Sequence, residues 1–80
     1  MKVLFYGRLA ELIAPELEVN ASPGCSVAQL RNRLIADHPE AEPTLRSKRS
    51  RACVGDSVVH EQFVLSEADR VEFLPPVSGG

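Results

Sequence analysis

The sequence predicts a small α+β domain in which a mixed sheet is crossed by one main helix. Three observations predict it. Short runs of β-branched and aromatic residues recur between Lys2 and Leu74, one longer stretch has helical apolar spacing, and Gly- or Pro-containing clusters separate the elements. Lys2 to Gly7 carries apolar residues on both faces, as a central strand does. Leu9, Leu12 and Ile13 then have helical spacing, and Pro15 stops that short helix. Glu16 to Asn20 alternates polar and apolar residues, predicting a half-buried strand paired with the first through the helical connection.

After the turn cluster Ser22-Pro23-Gly24, the main helix begins at Ser26. Gln29 stands three residues on, where it completes a capping box, and Val27, Leu30, Leu34 and Ile35 form the apolar stripe. Arg31, Asn32, Arg33 and Asp37 are expected to face water, and Pro39 ends the helix. Glu40 to Ser50 reads as polar and irregular, with one helical turn near Thr44-Leu45. The basic run from Arg46 to Arg51 reads as a solvated loop. Ala52-Cys53-Val54 is a short strand, Gly55-Asp56-Ser57 a turn, and Val58-Val59 opens the next strand. Arg70 to Leu74 is the last strand, with Val71 and Phe73 on one face and Glu72 and Leu74 on the other. Strand, strand, helix, strand, short strand, strand is a β-grasp outline, although periodicity suits other small α+β folds equally.

Composition narrows the function classes. Eighty residues make one domain, expected over 1–74, followed by an extended segment over 75–80. A net charge of −2 argues against general nucleic-acid binding. Met1 to Tyr6 lacks the pattern of a secretory signal, and no apolar run approaches the roughly 20 residues that span a bilayer. The expectation is a cytoplasmic protein with no membrane partner. Cys25 and Cys53 belong to no CxxC pattern and are expected to be reduced, buried thiols. With only His38 and His60 in addition, spacing offers no metal site, and no nucleophile–base motif or phosphate loop is present.

The chemistry is expected at the end of the chain. Pro75 and Pro76 cannot donate to a sheet ladder, so the last strand stops before them, and they favour a stiff extended spacer. Gly79 and Gly80 carry no side chains, so Val77, Ser78, Gly79 and Gly80 make a thread suited to a narrow channel in another protein. The carboxylate of Gly80 is inert until its oxygen becomes a leaving group. Adenylation by ATP in a partner enzyme accomplishes that, and sulfur or an amine can then attack. No catalytic side chain of this chain is needed, and no cofactor is expected to be bound by it.

The ending Phe73-Leu74-Pro75-Pro76-Val77-Ser78-Gly79-Gly80 closely resembles that of the small, sulfur-carrying subunits of molybdopterin synthase. Lys2-Val3-Leu4-Phe5-Tyr6-Gly7, Leu9, Glu11-Leu12 and Ala52-Cys53-Val54 are similar to the opening and middle strands of that family. The resemblance implies a ubiquitin-like β-grasp fold. Gly80 would be adenylated by an enzyme related to ubiquitin-activating enzymes and converted to a thiocarboxylate with sulfur from a sulfurtransferase. Inserted into the large synthase subunit of a heterotetramer, it would give its sulfur to cyclic pyranopterin monophosphate. Gly-Gly alone is shared with thiamin sulfur carriers and ubiquitin-like modifiers. Sulfur delivery to thiamin or a nucleoside, or protein modification, therefore stands as the alternative.

Ala10, Gly55 and Ala68 depart from that family's pattern, which has a basic residue, an asparagine and a glycine there. Leu74, apolar and beside the tail, is the expected partner contact, with Phe5 assigned to the same interface. Alternation suits Phe5 and Tyr6 equally to the core.

Overall fold

The computed structural model describes residues 1–20, 24–47 and 50–74. Strand β1 (Lys2–Phe5) leads through helix α1 (Arg8–Leu12) to β2 (Glu16–Glu18). Helix α2 (Val27–Asp37) follows, then a 3₁₀ turn (Pro39–Ala41) and helix α3 (Glu42–Leu45). Strands β3 (Arg51–Val54), β4 (Ser57–Val59) and β5 (Arg70–Leu74) complete the domain. Of the predicted turn cluster, Ser22 and Pro23 lie outside the described residues, as do Lys48 and Arg49 of the basic run.

The strands form one sheet in the order β2-β1-β5-β3-β4. β1 and β5 run parallel at its centre, with Val3 opposite Val71 and Phe5 opposite Phe73. The other neighbours are antiparallel. The first and last strands are thus paired with each other, and α2 supplies the second layer. That is the expected β-grasp.

Side chains alternate across the sheet, so one register decides which residues meet α2. Val3, Phe5, Ala52, Val71 and Phe73 point inward and are buried against Val27, Leu30, Leu34 and Ile35 of α2. Leu9, Leu45 and Leu65 close the ends of this core. Leu45, fully buried, is the residue through which α3 joins the core.

The helix start is as the residue pattern predicts. Ser26 Oγ accepts from the Gln29 N–H at 3.2 Å while Gln29 Oε1 accepts from the Ser26 N–H at 2.8 Å. Two otherwise unpaired donors at the helix end are thereby satisfied. Ser26→Ala is expected to cost about 1 kcal/mol, lowering the thermal midpoint by roughly 4–8 °C. Calorimetry checks this, and an unchanged midpoint would assign the helix start to packing alone.

The hairpin between β3 and β4 turns through Gly55 and Asp56, at φ 55° and 69°. Two consecutive positive φ values match the right-handed twist of the strands. Glycine and asparagine both tolerate this conformation, so Gly55 in place of the family's asparagine leaves the turn intact.

Two expectations are corrected. Arg31 does not face water: it is 8% exposed. It lies four residues after Val27 and one after Leu30, inside the apolar arc of α2. The cysteines are free, but half-buried rather than buried.

Candidate functional site

Pro75, Pro76, Val77, Ser78, Gly79 and Gly80, to which the sequence assigns the chemistry, lie outside the described residues. The structure describes the platform to which they are joined, the end of β5 at Phe73 and Leu74. Phe73 is fully buried, with its ring stacked on Phe5 at 5.9 Å between centroids. The Arg31 guanidinium carbon also lies 5.2 Å from the ring centre. A cation at that distance is attracted by the ring's π face.

Arg31 is the hub of this platform. Its Nε and Nη2 donate to the two carboxylate oxygens of Glu61 at 3.0 and 2.9 Å, a two-pronged, charge-assisted pair. Its Nη1 donates to the Leu45 carbonyl and, at 3.2 Å, to Ser50 Oγ. Ser50 Oγ in turn donates to the Leu74 carbonyl at 3.4 Å. One side chain from α2 therefore gathers the end of α3, the residue before β3, the loop after β4 and the last described strand. No buried side-chain nitrogen or oxygen among the described residues lacks a partner. That completeness is what makes a guanidinium tolerable in the interior.

The sheet face away from α2 is partly apolar. Register places Leu4, Glu72, Cys53 and Val58 in one row across β1, β5, β3 and β4. Leu74 is half-buried on the same face, opposite Arg51. Tyr6 is 40% and Val58 61% exposed. The Tyr6 hydroxyl donates to Glu72 Oε2 at 2.6 Å, and this bond raises the phenol above its ordinary pKa because ionising it would set two negative groups together.

Phe5 does not belong to this face. Expected as a partner contact, it is 2% exposed and stacked within the core, so it presents no surface for docking. The alternation of β1 turns Phe5 inward with Val3, leaving Leu4 to face out.

The basic run is also less uniform than a solvated loop. Arg46 pairs with Glu42 at 2.7 Å, Ser50 is buried, and Arg51 opens β3. Sequence reasoning missed Arg31, Ser50 and Glu61 as supports of the tail root. For Arg31 a signal existed, since positions 27, 30, 31 and 34 complete a helical stripe. Ser50 and Glu61 gave none, because their partners lie 24 and 30 residues away in sequence.

Among the described residues, no three His, Cys, Asp or Glu side chains are gathered as a metal site, and no helix is long and apolar enough to cross a membrane.

Comparison with known proteins agrees with this architecture. The molybdopterin synthase sulfur carrier subunit of Escherichia coli (strain K12) is 30% identical over 80 residues, covering 100% of this chain and 99% of the relative. The small archaeal modifier protein 1 of Haloferax volcanii superposes with a TM-score of 0.82 at 16% identity, covering 95% of each chain. A protein–protein complex of subunits 1 and 2 of molybdopterin-converting factor from Helicobacter pylori 26695 contains a chain matching at TM-score 0.66 and 19% identity, over 99% of this chain and 96% of that one. The ubiquitin-like β-grasp fold is shared by these structures. With residues 3–80 matching the ThiS family from the first strand through the terminal glycines, the chain belongs to that family.

Proposed function

We propose that this chain is the sulfur carrier of molybdopterin synthase, and that the Gly80 carboxylate is the atom group that is loaded and unloaded. The observation that carries the reading is the end-to-end match, at 30% identity, to a relative of that function. The family match reaching Gly80 supports placing the chemistry there.

The proposed chemistry needs no side chain of this domain. A carboxylate oxygen of Gly80 attacks the α-phosphate of ATP in a separate adenylating enzyme, pyrophosphate leaves, and a mixed anhydride remains. A persulfide carried by a sulfurtransferase attacks its carbonyl carbon and AMP departs, leaving an acyl disulfide. A thiol then cleaves the sulfur–sulfur bond, is itself oxidised to a disulfide, and releases the thiocarboxylate. Held in the large synthase subunit, that sulfur reacts with the bound pterin at high effective concentration, so free sulfide is not required. The outer sheet face with Leu74, Leu4, Tyr6 and Val58 is the surface offered to that subunit. It lies beside the tail root and exposes apolar side chains among polar ones, as interface surfaces do.

The test is intact-mass analysis of the chain co-expressed with its adenylating enzyme and a sulfur source. A gain equal to exchange of one oxygen for sulfur, mapped to Gly80, is expected. An unchanged mass, under conditions that convert the Escherichia coli relative, refutes the proposal, and a ladder of higher-mass conjugates would indicate a protein modifier instead. Complementation of strains lacking molybdopterin or thiamin synthesis separates the two sulfur pathways.

A further inference from the structure

We infer that Arg31 and Ser50 are positioning residues that set the direction in which the chain leaves the domain at Leu74. The inference rests on the sulfur-carrier reading for its functional consequence, while the geometry that carries it is independent of that reading.

Leu74 is the last residue before two prolines, neither of which has a backbone N–H to donate. Phe73 and Leu74, the last two described residues, are held from the same source. The Phe73 ring is stacked on Phe5 and lies 5.2 Å from the Arg31 guanidinium carbon. The Leu74 carbonyl accepts from Ser50 Oγ, which itself accepts from Arg31 Nη1. Arg31 is in turn locked by both oxygens of Glu61 and by the Leu45 carbonyl. A hydroxyl that accepts from a fixed guanidinium has its own proton directed away from it, toward the remaining acceptor. The chain of bonds thus has a defined polarity that ends on the Leu74 carbonyl.

Small angles matter here because six residues follow Leu74 in the sequence. Six residues span at most roughly 20 Å, so a tilt of about 10° at Leu74 displaces the far end by up to roughly 3.5 Å. A root held in one direction narrows the search of the tail for a partner's channel and lowers the ordering cost of binding. Once the tail is seated, the channel takes over its alignment. The consequence should therefore appear in KM for the carrier and leave kcat alone.

The experiment compares the full chain with Ser50→Ala, which removes only the hydroxyl, and Ser50→Thr, which restores it. Each is measured for thermal midpoint, for ATP–pyrophosphate exchange with the adenylating enzyme as a function of carrier concentration, and for ¹⁵N order parameters of the Leu74 and Val77 amides. Ser50→Ala is expected to raise KM about three- to tenfold with kcat unchanged and to lower both order parameters, with Ser50→Thr returning toward wild type. Where the wild-type chain is adenylated normally, an unchanged KM for Ser50→Ala overturns the inference. So does a loss confined to the thermal midpoint. If the wild-type chain supports no exchange at all, the sulfur-carrier reading falls, and the order parameters then decide the positioning role: a drop in Ser50→Ala upholds it and identity with wild type overturns it.

Discussion

A chain lacking only Gly80 is expected to lose sulfur transfer by at least about a hundredfold while keeping its thermal midpoint. The deletion leaves a chemically equivalent carboxylate on Gly79, but one residue short. A residue of extended chain spans roughly 3.3–3.6 Å, and misplacement of a reacting atom by about 1 Å already costs on the order of a hundredfold. Stability is spared because every buried apolar residue of the described core lies between Met1 and Phe73. Two measurements check it, the oxygen-to-sulfur mass gain and the melting curve, and they are expected to separate completely. Retained sulfur transfer by the shortened chain would show that the last carboxylate need not sit at a defined distance from the domain, and the proposed chemistry would fail.

Phe73→Ala is expected to be the most damaging single substitution in the domain, lowering stability by about 3–5 kcal/mol. The side chain is fully buried at the junction of β5, β1 and α2, and its removal leaves both the Phe5 ring and the Arg31 guanidinium without their shared neighbour. A domain of this size has roughly 4–12 kcal/mol to lose, so the thermal midpoint should fall by about 15 °C or more. Urea denaturation gives the value directly. A loss below about 1 kcal/mol would mean that the core collapses around the site without a cavity. Together the two variants separate the platform from the tail: one should disable the chemistry in a folded protein, the other should weaken the fold.

Most of the fold was legible because its signals are local. The capping box at Ser26 and Gln29, the stop at Pro39, the alternation in Arg70 to Leu74 and the turn at Gly55-Asp56 each depend on residues within a few positions of one another. Arg31 is not legible as buried because its charge points to solvent while its position points to the core. Its spacing belongs with Val27, Leu30 and Leu34, and only the presence of Glu61, Ser50 and the Leu45 carbonyl makes that position habitable for a cation. Phe5 was ambiguous because β1 is apolar on both faces, and period two cannot say which face meets the helix until β5 and α2 are in place.

By itself the sequence determined the main elements, their order and the main helix with its cap, since each is written in short-range spacing and residue type. Only the tertiary structure decided that the first and last strands lie side by side, that Phe5 is core and Leu4 half-buried on the other face, and that one buried arginine ties three distant segments to the root of the tail. Those decisions rest on contacts between residues 14 to 68 positions apart. Such contacts are set by the packing of whole elements, and no local pattern encodes them.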